Sequence, residues 1–155
     1  MLVIDEFHNL LGVQARRQRE LLNHIRFIGN DRQLPIVGLG TREAWLAIRS
    51  DPQLENRFTP YLLPLWEDGV ELGRLLASFE TCLPLREPSH LASTEMRSLV
   101  LRRAEGTIGE IATLITHAAR AALLAGREHI DTAAIEAAGY DGPSVRRRQV
   151  DRALK

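Results

Sequence analysis

The chain is predicted to be α/β in its first half and all-helical in its second. Three observations carry this. Short apolar runs alternate with helical periodicity up to residue 83, prolines follow at 84 and 88, and every later segment repeats its apolar residues at helical spacing. The predicted organisation is a core over 1–83, a linker over 84–92, a helical subdomain over 93–140 and a basic tail over 141–155.

Leu2 to Ile4 is a short run rich in β-branched residues, closed by Asp5, and suits a parallel strand buried on both faces. Between Val13 and Ile28, Leu21, Leu22, Ile25 and Ile28 recur at helical spacing, and Gly29 is a helix stop. Leu34-Pro35-Ile36-Val37-Gly38-Leu39 reads as a second buried strand, with Pro35 tolerable near its start. Thr41 would cap a helix to about Arg49, ended by Asp51-Pro52, and Tyr61 to Leu65 would form a third strand. Asp68-x-x-Glu71 is a capping box for a helix through Leu83 with Leu72, Leu75, Leu76 and Phe79 on its inner face.

After the prolines, Ser93 would cap a helix through Ala104, ended by Gly106. Thr107-x-x-Glu110 opens the most periodic segment, with Ile111, Leu114, Ile115, Ala118, Ala122 and Leu123 on one stripe before Gly126. Asp131 would cap a last short helix to Ala138. The tail from Asp141 to Lys155 holds five basic and two acidic residues and is expected to be mobile.

Composition restricts the function classes. With 45% hydrophobic and 26% charged residues, the 155-residue chain has the make-up of a folded globular protein. Twenty basic and twenty acidic residues cancel, so net charge names no partner; Arg16, Arg17, Arg19 and the tail are the only basic concentrations. A single cysteine, Cys82, excludes an internal disulfide and suits a reducing cytoplasm. No apolar stretch approaches the ~20 residues of a membrane span, and the first residues lack the basic start of a secretion signal. The expected localisation is therefore cytoplasmic, with no membrane partner.

Asp5 and Glu6 are the first candidates for chemistry. Two adjacent carboxylates at the carboxyl end of a buried strand are how P-loop NTPases hold Mg²⁺ and prepare the attacking water, the feature called Walker B. The aspartate would hold the metal through a water, and the glutamate would orient the nucleophile. The same acids also suit a strand leading into a helix N-terminus. With His8 they spell Asp-Glu-x-His, as in superfamily 2 helicases, yet Gly38-Leu39-Gly40-Thr41 stands where those show Ser-Ala-Thr. A metal site on Asp5, Glu6 and His8 is a third reading, without an outlying ligand. At the end of the second strand Thr41 would act as sensor 1, reaching the γ-phosphate or water, or simply cap its helix. Arg57, in Asn56-Arg57-Phe58, would be an arginine finger projecting into a neighbouring subunit's nucleotide, or a solvated surface residue. His24, His90, His117 and His129 are scattered and read as structural or surface residues, Trp45 and Trp66 as packing anchors. Arg146-Arg147-Arg148 reads as a solvated tail able to touch phosphate.

The order of these motifs resembles AAA+ ATPases and, within them, the TniB/TnsC family of transposition regulators. The resemblance rests on Leu-Val-Ile-Asp-Glu-Phe-His-Asn-Leu-Leu, Leu-Pro-Ile-Val-Gly-Leu-Gly-Thr-Arg-Glu-Ala, and Leu-Glu-Asn-Arg-Phe with Leu-Pro-Leu-Trp. Residues 105–111 and 130–133 are similar to the family's lid helices, and the likeness runs from Leu2 to about Gly142. It implies a partial P-loop NTPase (AAA+) core followed by a helical lid. It also implies Asp5 for Mg²⁺, Glu6 for the water, Thr41 as sensor 1 and Arg57 as the finger. The complete protein would be an ATPase using ATP and Mg²⁺, assembling as a homo-oligomeric ring or filament on target DNA and communicating with the transposase. The phosphate loop Gly-x-x-x-x-Gly-Lys-Ser/Thr does not occur in the 155 residues, and Gly109 stands where many lids carry a sensor 2 arginine. The chain is thus expected to be the C-terminal part of such a protein, without bound nucleotide of its own. Two rival readings are a non-enzymatic module that binds transposase or DNA, and a DExH helicase fragment.

Overall fold

The computed structural model describes residues 1–154. The chain divides into two compact units, Met1–Leu62 and the residues from Leu63 on.

The first unit is a small βαβ layer. Strand β1 (Leu2–Ile4) leads through a 3₁₀ helix (Phe7–Gly12) and helix α1 (Ala15–Asp31) to strand β2 (Ile36–Gly38). The strands pair in parallel with Leu2, Val3 and Ile4 opposite Ile36, Val37 and Gly38, and α1 is the crossover that such a pair requires. Helices α2 (Arg42–Arg49) and α3 (Pro52–Glu55) follow. Phe7, Leu22, Ala47, Ile48 and Leu54 form the buried core, with Ile4, Leu10, Ile25, Trp45 and Phe58 packed around it. Asp51 Oδ1 accepts the N–H of Gln53 at 2.8 Å and Pro52 takes the first turn, so Asp51-Pro52 both ends α2 and starts α3.

Two expectations in this unit are corrected. Gly29 does not stop α1, which runs on to Asp31. A Cβ there would meet Ile36 Cδ1 at 3.2 Å, so the glycine serves the close packing of α1 on β2. The run Tyr61 to Leu65 forms no strand. Tyr61, Leu62 and Leu63 are 79–95% exposed, with no partner strand among the described residues to hydrogen-bond their backbone.

The second unit is helical: α4 (Val70–Cys82), α5 (Thr94–Ala104), α6 (Ile108–Leu124), α7 (Thr132–Glu136) and α8 (Pro143–Ala153). Leu72 and Leu76 of α4, Leu99 and Val100 of α5, and Ile111, Leu114 and Ile115 of α6 share one core with Ile130 and Ile135. Helix α4 thus packs with the later helices, and the division falls at Leu62/Leu63 rather than at residues 84–92. That stretch is built into the second unit. Ser89 and Leu91 are buried, and the Glu80 carboxylate accepts the N–H groups of Ser89, His90 and Leu91 at 2.7, 3.0 and 2.9 Å. Burial opposes the charge on Glu80, but these three N–H groups outweigh it and hold its carboxyl below the usual glutamate range.

Residues 143–153 form a helix where a mobile tail was expected; Lys155 lies outside the described residues. Ser144 donates to Glu105 through both N–H and hydroxyl at 2.8 Å, and Arg146 pairs with Glu110. Glu110 also accepts the Tyr140 hydroxyl at 2.6 Å. These tertiary partners occupy the glutamate of the expected Thr107–Glu110 capping box, and the Thr107 side chain makes no cap bond. Asp68 likewise turns to Arg97 at 2.7 Å, leaving Gly69 to start α4. The caps at Ser93 and Asp131 form, accepting from Met96 N at 3.4 Å and Ala134 N at 2.7 Å. Among the described residues no helix is long and apolar enough to cross a membrane.

Candidate functional site

The site is built where the two parallel strands end. The backbone bonds Leu39 N–H to Ile4 O and Phe7 N–H to Leu39 O, both 2.8 Å, carry the pairing past β1 and bring residues 5–8 beside 39–41. Asp5 and Glu6 therefore stand at the carboxyl ends of a parallel pair, the edge where open α/β sheets take their ligands. Glu6 adopts a left-handed conformation (φ 53°) and turns the chain into the 3₁₀ helix. Its N–H donates to Asp5 Oδ1 at 2.8 Å, and its carbonyl accepts Asn9 N–H at 2.9 Å. The fully buried Phe7 then fastens the turn, its ring against Gly38 and 6.2 Å from that of Phe58.

Both carboxylates are exposed. Asp5 keeps Oδ2 without a protein partner among the described residues. One such carboxylate, completed by waters and substrate phosphates, is a donor set that suits Mg²⁺. The structure does not gather Asp5, Glu6 and His8 into a ligand cluster. Among the described residues no group of three or more His, Cys, Asp or Glu is placed to hold a metal.

Thr41 lies across from Glu6, joined to it through His8. Its N–H donates to His8 Nδ1 at 3.4 Å, and His8 Nε2 lies 3.2 Å from Glu6 Oε2. The Thr41 hydroxyl donates to Glu43 Oε2 at 3.0 Å and makes no cap bond to α2. Thr41 stands at the N-cap position, but its hydroxyl oxygen accepts no N–H of the first turn, and the side chain is turned to Glu43, two residues on. The sequence offers His8 as part of an Asp-Glu-x-His string or as a metal ligand, and neither reading makes it a bridge. Its role as a bridge depends on a residue 33 positions away. The legible signal was Gly40, where a Cβ would come within 3.2 Å of His8 Nδ1 and 3.3 Å of Phe7 N.

Arg57 is not part of this cluster. It follows α3, is exposed, and its guanidinium donates to Asn30 Oδ1. It borders a cleft of about 250 Å³ lined by Ile25, Gly29, Pro35, Ile36 and Phe58, at the amino end of β2. Asp5, Glu6 and Thr41 occupy the opposite end. Of the scattered histidines, His24 Nδ1 lies 2.8 Å from Glu20 O and His117 Nδ1 lies 3.2 Å from Ala138 O. His129 pairs with Glu87 at 2.9 Å, and His90 is exposed.

A parallel β pair with an acid pair at its carboxyl end defines the class: a partial α/β unit. The family model described as "Bacterial TniB protein" matches residues 1–68. This span takes in the whole first unit and all four candidate residues, and over it the chain is similar to TniB. No curated protein matches the chain.

Proposed function

We propose that this chain carries the Walker B, sensor 1 and arginine-finger segments of an AAA+ ATPase that regulates DNA transposition. The observation that carries the reading is the acid pair Asp5-Glu6 beside Thr41 at the ends of adjacent parallel strands, within the TniB-like segment. In this reading Asp5 holds the water shell of Mg²⁺ and Glu6 orients the attacking water. Thr41 senses the γ-phosphate. Mg²⁺ held there would supply positive charge to offset the charge that develops on the transferred phosphate. Arg57 stands too far along β2 to serve the same site. Its exposure supports a role across a subunit boundary, on a neighbour's nucleotide. The phosphate loop is supplied by sequence outside these 155 residues, and the working form is a homo-oligomer on target DNA that communicates with the transposase.

The test uses a longer polypeptide with a phosphate-loop segment ahead of this chain. Glu6→Gln keeps the shape but orients water poorly, so it should bind ATP and stall before hydrolysis. Asp5→Asn should weaken Mg²⁺-dependent nucleotide binding instead. Hydrolysis at the unsubstituted rate by both variants would leave a non-enzymatic module as the better reading.

A further inference from the structure

We propose that His8 is the positioning residue for Glu6, holding its carboxylate in register with the end of the neighbouring strand. The proposal rests on the reading of Glu6 as the water-orienting group. The backbone of Glu6 is fixed by its bonds to Asp5 and Asn9, but its side chain is 64% exposed and has His8 as its protein partner. The imidazole is better held, with 21% of its side chain exposed. Because Thr41 N–H donates to Nδ1, that nitrogen must present its lone pair, and the ring proton resides on Nε2. The Nε2–H then faces Glu6 Oε2 from 3.2 Å. The ring, held in one tautomer, thus links the strand end that carries Thr41 to the carboxylate that would orient water.

Gly40 supplies a second, independent observation. A Cβ at this position would crowd His8 Nδ1 at 3.2 Å, Ala44 Cβ at 3.0 Å and Phe7 N at 3.3 Å, so the ring lies directly against the glycine. Phe7, the residue before His8, is buried. His8 therefore has a defined seat, and that seat is made by the segment that would sense the phosphate. Displacing a catalytic group by about 1 Å costs about 10²-fold in rate, which is the scale on which such a support acts.

Two measurements test this. In the 155-residue chain, ¹⁵N resonances of the His8 ring should show the Nε2–H tautomer with Nδ1 unprotonated, and Glu6→Gln should shift them. A ring exchanging freely between tautomers would overturn the proposal. In the longer polypeptide with a phosphate loop, His8→Phe should lower kcat about 10²-fold while leaving KM for ATP within about twofold. His8→Gln, whose terminal amide can reach the place of Nε2, should recover part of the loss. In a Glu6→Gln background, adding His8→Phe should change nothing further, because both act through one carboxylate. If Glu6→Gln stalls hydrolysis but His8→Phe does not slow it, His8 has no such role and the function of Glu6 stands. Full turnover by Glu6→Gln overturns both. Should His8→Phe fail to fold, the tautomer and His8→Gln, expected to keep more than background turnover, still decide.

Discussion

Gly40 and Gly106 show how single residues decide whether the two units close correctly. At Gly40 a Cβ would lie 3.0 Å from Ala44 Cβ and 3.3 Å from the backbone nitrogen of Phe7, neither of which can rotate away. Gly40→Ala should therefore destabilise the first unit by about 1–3 kcal/mol, read as a lower urea midpoint with an unchanged slope. At Gly106 the backbone is left-handed (φ 77°) and a Cβ would lie 2.7 Å from Trp66 O. Here the carbonyl of Gly106 also accepts Trp66 N–H at 2.7 Å. Strain and collision add, so Gly106→Ala should cost about 2 kcal/mol or more of the second unit's stability, measured by thermal unfolding. The sequence shows Gly106 as a helix stop, which it is. It does not show that the stop also seats Trp66, because the two lie 40 residues apart.

At the scale of elements, Glu80 and α8 carry the predictions. The Glu80 carboxylate organises the segment after α4 by accepting three backbone N–H groups. Glu80→Ala strands those donors and should destabilise the second unit by about 1–3 kcal/mol. The pH dependence has a definite sign. The folded-state pKa of Glu80 lies below its ordinary 4.5, so its contribution is complete above that value and disappears as pH falls through the folded pKa. Unfolding followed against pH should show stability declining in the acid below 4.5, and Glu80→Gln should flatten part of that decline. Helix α8 carries the prediction for DNA. Its Arg146 is engaged by Glu110, while Arg147, Arg148 and Arg152 are exposed. Duplex binding by the chain should be weak and salt-sensitive, and deleting residues 143–155 should remove most of it. Binding that persists without α8 in a filter or anisotropy assay would exclude the helix as the contact.

At the scale of the whole molecule, the question is assembly. Val3 and Val37 are register partners, 48% and 40% exposed, on a two-stranded parallel sheet of a kind normally covered on both faces. The 155-residue chain should therefore self-associate with rising concentration in sedimentation. It should also bind ATP weakly or not at all in calorimetry; micromolar Mg²⁺-dependent binding by a monomer would contradict this. In the longer polypeptide, Arg57→Ala should spare nucleotide affinity and lower turnover about 10³-fold or more. Mixing it with Glu6→Gln should restore some activity if the finger acts across a boundary. Without rescue, and with Arg57→Ala hydrolysing normally, Arg57 is a surface residue bonded to Asn30.

What the sequence determined by itself is local in origin. The acid pair closing a strand, the strand–helix–strand alternation of β1, α1 and β2, the inner face of α4 and the caps at Ser93 and Asp131 each show in short runs of neighbouring residues. Periodicity and capping register such short-range physics directly. The tertiary structure decided what depends on distant partners. It placed α4 with the later helices, since the apolar stripe of Leu72 and Leu76 is satisfied by any complementary face and does not name one. It diverted Glu110 from its cap to Tyr140 and Arg146, because a charged partner and a phenol offer a carboxylate more than one backbone N–H. It set Arg57 at the far end of β2 from the acids, and it put His8 between Glu6 and Thr41. Those placements follow from chain segments about 30 residues apart meeting in space, which no spacing along the chain records.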